Sequence, residues 1–505
     1  QAPIFGSIEI VRQLKLSMGC CSGKAPPEFD PLLRPVNFND AAPSSSSGAS
    51  SSKDPGSPQL NGFKIIPELP SIQVADAKVA EYTLPREALC YKPSPDVVVS
   101  VFPNGDMERK IYCNLPLSKA EQRQVKGLQA LADQEGVAFF PSVAVAAPRY
   151  LGHTKGDTRK ALNRMLATQK WRTEYFAEGP LTESSVEEDL QHGMLYIAGR
   201  DYAMHPTIVC RPIRMPAAWF EDNSATQRLL RCAVFCMEYV LKYMCIPGRC
   251  ESTCMIFDME GISAYQVPIT PIREIYSIFH NHYPGRAFRF NVCNLSPAMG
   301  FIVAIVRSIL TERQRQKLAV IGDWSELLDQ WAPHQLEEEF GGTRPSLDKF
   351  FPFPIQAGPY AVCCNTGPDN SSAKNLHRAF KPDGLLGQVW DLSKRSQENT
   401  ALGYSEEAER LFKQCGLPAP GEELGEGGNG ESFVTREASA SSQAVRKLSS
   451  FKKPARGQCG GCFAFGNRKP KRSRSVSWDT DDMVVSANGG QIFRQSLSAQ
   501  LDEQP

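Results

Sequence analysis

Between Ser252 and Thr343 the chain alternates short apolar runs with amphipathic segments of helix length. Cys254-Met-Ile-Phe-Asp-Met-Glu-Gly261 comes first, Phe288-Arg-Phe-Asn-Val-Cys-Asn-Leu-Ser-Pro297 second and Lys317-Leu-Ala-Val-Ile-Gly322 third. Tyr283-Pro-Gly-Arg286 and Glu339-Phe-Gly-Gly-Thr343 punctuate them. Apolar runs bounded by turn residues and separated by helices predict an α/β fold with a mostly parallel sheet.

Composition sets off this body from two tails. Ser44 to Pro58 is dominated by Ser, Pro, Gly and Ala, and Gly421 to Ser450 by Gly, Ser and Glu. Neither stretch buries enough apolar surface to offset chain entropy, so long disordered tails are expected. The net charge of +1 argues against a nucleic-acid partner, yet it hides an asymmetry. Arg446 to Trp478 holds ten basic residues and no acidic one, which reads as an interaction tail. The 16 cysteines form no regular framework, and many sit inside apolar runs, as reduced buried thiols do. The longest apolar run, Met299 to Leu310, is short and interrupted by Arg307, so no bilayer span is expected.

At the N-terminus, Met18-Gly19-Cys20-Cys21-Ser22-Gly23-Lys24 suggests a start at Met18, with residues 1–17 as leader. Gly19 is then a myristoylation candidate and Cys20 and Cys21 palmitoylation candidates, two signals being needed for stable anchoring. The pattern departs from the usual one at Gly23, where Ser or Thr is expected. Cys459 and Cys462 form a lone Cys-x-x-Cys beside basic residues, so they read as lipidation candidates or inert thiols rather than a zinc site. Ser449, Ser475 and Ser477 follow basic residues and suit a basophilic kinase, whose phosphates would weaken contact with an anionic leaflet. A solvated, unmodified tail is the plain alternative.

Within the body, Val97 to Leu115 flanks Pro103-Asn104-Gly105-Asp106 as a hairpin does. Ser118-Lys-Ala-Glu121 is a capping box whose helix Gly136 can close, Asp157 or Thr158 caps a second helix, and Ser184-Ser-Val-Glu187 a third. Two strands, Met194 to Asp201 and Thr207 to Ile213, precede a helix capped by Asp222-Asn-Ser224 with Leu229, Cys232, Ala233, Cys236, Tyr239, Val240 and Tyr243 on one face. Pro271 opens a further helix and Ser296-Pro297 another, and Lys317 to Ile321 makes the last strand.

The order of these segments resembles the CRAL-TRIO (Sec14-like) family. The resemblance begins at Arg149-Tyr-Leu and the helix ending in Trp171-Arg172, passes through the hairpin around His205-Pro206, and covers about Ser118 to Pro345. It implies a helical N-terminal lobe (118–192) and a lipid-binding lobe (193–345), a mixed, mostly parallel sheet flanked by helices around an apolar pocket. Around them lie a disordered 1–80, an accessory hairpin region 81–117, an extension 346–420 with some helix, and a disordered basic tail 421–505. Implied pocket and gate residues are Tyr239, Tyr243, Phe257, Met299, Phe301, Ile302, Ile305 and Val306; implied headgroup residues are Lys317, Tyr283 and Arg149. In relatives that bind phosphatidylinositol, an acidic residue follows the Tyr-Pro and a threonine precedes the lysine. Gly285 and the region of Gln314 stand there instead, so phosphatidylinositol specificity does not follow.

No metal site is expected from His280 and His282, which point to opposite sides of a helix end, and no cofactor beyond a bound lipid. Asp258 is the only foothold for catalysis, and an Asp before a turn is more often a turn former. The expected activity is non-enzymatic binding or intermembrane transfer of a phospholipid or other small lipophile through a gated pocket, in a cytoplasmic protein held peripherally on membranes by its tails. The alternative is a membrane-anchored signalling adaptor that uses the domain as a lipid sensor or protein-interaction module.

Overall fold

The computed structural model describes residues 59–360 apart from 61, 114, 222–223, 263–268, 297–299, 301–302, 304–306 and 308–309. The helical lobe starts where its caps predict. In α1 (Lys119–Gln134) the Glu121 N–H donates to the Ser118 hydroxyl at 3.3 Å, while the Ser118 N–H donates to the Glu121 carboxylate at 2.8 Å. Such a reciprocal cap is worth about 1 kcal/mol. Gly136 follows at φ 65°, a left-handed position that suits glycine. After α2 (Ala147–His153), Asp157 caps α3 (Thr158–Tyr175) by accepting the Lys160 N–H at 2.9 Å. Leu128, Leu162, Met165 and Tyr150 form the centre of this lobe's core.

Two expected boundaries need correction. Residues 62–80, expected to be disordered, are packed: Phe63 joins the helical-lobe core, while Ile72 and Val79 join the sheet-lobe core. Two-residue strands form within this stretch, Phe63–Lys64 and Ile72–Gln73. The region 81–117 is also more than a hairpin, since Leu84, Ala88 and Leu89 pack into the helical lobe. Its hairpin does form, pairing β1 (Val99–Val101) with β2 (Met107–Arg109) across the expected turn.

The sheet lobe contains β3 (Leu195–Arg200), β4 (Pro206–Cys210), β5 (Thr253–Asp258), β6 (Ala287–Cys293) and β7 (Leu318–Val320). They lie in the order β7-β6-β5-β4-β3, antiparallel between β3 and β4 and parallel elsewhere. Parallel neighbours need crossovers. Helix α4 (Ala225–Tyr239) links β4 to β5, and α5 (Ile269–His282) links β5 to β6. Helix α4 is buried nearly all round and runs on into a wide π turn at Val240–Met244.

Three local expectations change. Lys317 ends α6 (Glu312–Lys317) instead of starting the last strand, because Thr311 and Gln314 form a capping box that makes Glu312–Lys317 a helix. Ser184 lies in a 3₁₀ turn, and the short helix Glu187–Gln191 begins after Val186 without a side-chain cap. Pro271 falls inside the first turn of α5. Beyond the sheet, α7 (Ser325–Leu328) and two 3₁₀ turns lead to Phe350, Phe351 and Phe353, which pack into the sheet core. Residues 346–360 hold no helix; 361–420 lie outside the described residues. Among the described residues no helix is long and apolar enough to cross a membrane.

Candidate functional site

Strand side chains alternate between faces, so register sorts the sheet residues into two sets. Thr207, Val209, Cys254, Ile256, Asn291 and Cys293 share one face and are buried, while Arg289 and Ala319, on the same face nearer the β7 edge, are half-buried. Trp331 closes that face, its indole N–H donating to the Thr207 hydroxyl at 2.8 Å. The other set is Ile208, Cys210, Met255, Phe257, Phe290, Val292, Leu318 and Val320. Only Ile208 is buried there, and Val320 is 37% exposed. The rings of Phe257 and Phe290 lie 6.3 Å apart. Helix α4 belongs on this side: burial, then the neighbouring Cys232 and Cys210, push the Cys236 thiol well above its ordinary range. Half-buried Ile275 and Phe279 of α5 pack on the same core. The result is an apolar floor with helical walls that is incompletely covered.

At the N-terminal ends of β6 and β7, beside Phe290 and Leu318, lies a polar cluster. Glu108 of β2 accepts from Lys110 at 2.5 Å and from Lys317 at 2.8 Å, and Lys317 also donates to the Ala287 carbonyl at 3.2 Å. Both lysines are buried. Burial alone would push the Glu108 carboxyl up, but the two ammonium groups overcome it and hold it at about 2. The Lys110 ammonium sits 5.7 Å from the ring centres of Phe102 and Phe288. Burial, then Lys317, hold its pKa well below the usual lysine range. The hairpin is latched a second time where Arg313 donates to Asp106 at 2.6 and 2.9 Å.

Residues 190–342 match the family model of the CRAL/TRIO domain. The chain carries a CRAL-TRIO, Sec14-like domain. A CRAL-TRIO domain-containing protein of Saccharomyces cerevisiae is 25% identical over 233 residues, covering 40% of this chain and 73% of that protein. The crystal structure of Sfh5 aligns over 46% of this chain and 90% of its own at 13% identity, with a TM-score of 0.35. The CRAL-TRIO family is known for lipid binding and transfer, and its members are typically not enzymes.

The expected headgroup residues are committed to the protein's own groups. Lys317 is held by Glu108. Arg149 donates to Glu251 at 2.5 Å and to the Gly285 carbonyl at 2.9 Å. Gly285 has φ 67°, so the position after Tyr283-Pro284 is a left-handed turn whose backbone carbonyl serves Arg149. Burial would push Glu251 up, but Arg149 and the N–H groups of Gly248 and Cys113 hold it below the usual range. The Tyr283 hydroxyl donates to Glu238 at 2.6 Å, beside Arg172 at 2.8 Å from the same oxygen. Among the expected pocket residues, Phe257 lies on the half-covered floor. Tyr239 turns away: its hydroxyl accepts the Ala80 N–H at 3.1 Å, and its ring packs on Tyr243 and Phe353. Met299, Phe301, Ile302, Ile305 and Val306 lie outside the described residues, as do Gly19, Cys20, Cys21, Cys459, Cys462, Ser449, Ser475 and Ser477.

Sequence reasoning missed Glu108 and Lys110, whose partners lie far along the chain. It also missed a buried group, Asp201, His205 and Cys254, whose ligand-type atoms lie within 4.8 Å of one another. Its internal bonds explain it as a clamp. Asp201 accepts from the His205 backbone at 2.7 Å, from its ring at 2.9 Å and from the Cys254 thiol at 3.2 Å. Burial, then Asp201, push that thiol well up, so it is protonated and donates. The clamp fixes the β3–β4 turn to β5. Asp258 is likewise engaged, accepting from Arg211 at 3.1 Å and Asn294 at 2.9 Å. His280 and His282 have separate settings: His280 packs against the His153 ring, while His282 stacks on Trp171 at 4.5 Å. A cleft of about 350 Å³ between residues 77–82 and 352–355 uses no floor residue.

Proposed function

We propose that this protein binds a phospholipid or another small lipophile on the half-covered apolar face of its sheet and exchanges it with membranes, making and breaking no covalent bond. The observation that carries this reading is the contrast between neighbours on one strand: Cys254 and Ile256 are fully buried, while Met255 and Phe257 between and beyond them are not. A sheet that is simply a core element seals both faces when helices flank it. Apolar surface left beneath helical walls suits an acyl chain, which gains about 0.8 kcal/mol for each methylene it removes from water. Contact with a bilayer would favour the open form, since a bilayer rewards exposure of apolar surface that water penalises. Docking through lipidated and basic tails, regulation by a basophilic kinase, and a cytoplasmic, peripheral location belong to the same proposal and rest on sequence.

The test is mass spectrometry of lipid copurifying with the full chain, together with vesicle-to-vesicle transfer of labelled phosphatidylcholine. Met255→Trp, which fills the floor, should cut copurifying lipid at least five-fold while keeping the melting transition cooperative. An empty wild-type protein that moves no lipid sinks the reading.

The adaptor alternative has one observation in its favour. Lys317, Arg149 and Tyr283 are already bound to Glu108, Glu251 and Glu238, which suits a domain that holds its shape without a charged ligand. Wild-type transfer activity that Met255→Trp abolishes would count against it.

A further inference from the structure

The polar cluster at the end of the floor has an uneven charge count. Lys110 and Lys317 both bond to one carboxylate, Glu108. More basic groups stand behind them. Burial, then Arg164, His280 and Lys317, depress the His153 pKa to about 3, and Glu108 is the one group in that set acting the other way. These side chains come from separate elements: α2, α3, α5, α6 and the strand β2 with the residue after it. Glu108 is delivered by a hairpin whose outer cross-strand pair, Val101 and Met107, is 63% and 60% exposed. The hairpin is therefore a thin element, held by the bonds of Glu108, by the Asp106–Arg313 latch and by Arg109, which donates to Glu121 at 2.7 and 3.0 Å.

We infer that Glu108 is a specificity-determining residue: it is a self-supplied counter-ion that occupies the two-lysine site and excludes a phosphate group from it. A phosphate carries the same sign of charge as the carboxylate and more acceptor oxygens, so it suits the same pair of ammonium groups. It enters only by taking the place of the Glu108 side chain, while Lys110, two residues on in the same segment, stays beside it. While Glu108 is seated, a ligand lying on the floor meets a neutralised end, and the resting protein prefers lipophiles without an exposed phosphate monoester. This deepens the lipid reading and rests on it for the word ligand; the anion chemistry stands separately.

The experiment uses the full chain with three probes: inorganic phosphate by calorimetry, phosphatidylcholine vesicles, and the same vesicles carrying a phosphatidylinositol monophosphate. Glu108→Gln keeps the shape and removes the charge. It should bind phosphate-bearing probes at least ten-fold more tightly than wild type, and Lys317→Ala in the same background should abolish the gain. A gain with inorganic phosphate assigns the site to any phosphate ester; a gain with the phosphoinositide vesicles alone assigns it to a lipid headgroup. Asp106→Asn, which keeps Glu108 but frees the latch to Arg313, should give a smaller gain and serves if Glu108→Gln does not fold. Equal affinity of wild type and of every folded variant for both phosphate probes overturns the inference. Lipid-free behaviour toward phosphatidylcholine in all proteins would overturn the lipid reading and leave the anion result to stand or fall alone.

Discussion

The two faces of the central sheet are built from the same strands and serve opposite ends. Ile256 is fully buried on the face that Trp331 closes, whereas Phe257, one residue on, lies near Phe290 on a floor that stays half-covered. Hydrophobicity does not explain the difference, since the better-covered face carries Thr207 and Asn291 among its apolar residues and the open floor carries none. Completeness of cover does, and it divides residues packed on all sides from residues left partly open.

That contrast can be broken by mutation. Trp331→Ala, on the sealed side, should cost about 4 kcal/mol, since a large void opens and the Thr207 hydroxyl loses its donor; urea unfolding would measure it. Ile256→Ala should cost about 3 kcal/mol, against about 1 kcal/mol for Phe257→Ala, which removes fewer contacts but should lower lipid uptake several-fold. Equal costs at 256 and 257 would mean that the two faces are packed alike. Acid sharpens the comparison at the end of the floor. The Glu108 pKa is depressed to about 2 in the folded protein, so its contribution is fully present above the ordinary carboxylate range, near 4.5, and is lost as pH falls toward 2. Thermal melts between pH 5 and 2 should show a drop on the order of 2 kcal/mol that Glu108→Gln does not show. These effects are small beside a sealed-face deletion, as expected for a thin hairpin.

Much of the architecture was legible because it is written locally. The caps at Ser118 and Asp157, the turn in the hairpin, and the strand runs at 253–258 and 287–293 each carry a signal within a few residues. The error at Lys317 was also local: Gln314 was weighed only as a missing threonine, yet its side chain closes the capping box that turns the segment into helix. The candidate site was less legible because its chemistry is long-range. Glu108 and Lys317 are 209 positions apart, and Arg149 and Glu251 are 102 apart. No periodicity reports such a pairing. Phe63 and Val79 were missed for a similar reason: the cores they join are built by residues far along the chain.

The buried ion pairs between the lobes have a consequence for how fast anything enters or leaves. Arg149–Glu251 and Arg172–Glu238 act as two bolts joining helices of the N-terminal lobe to the sheet lobe, with the stacked rings of Trp171 and His282 beside the second. Prising the lobes apart would strip four charges of their partners before water could reach them, a steep barrier. Exchange of a guest by parting the lobes like a book would therefore be slow, whatever the affinity.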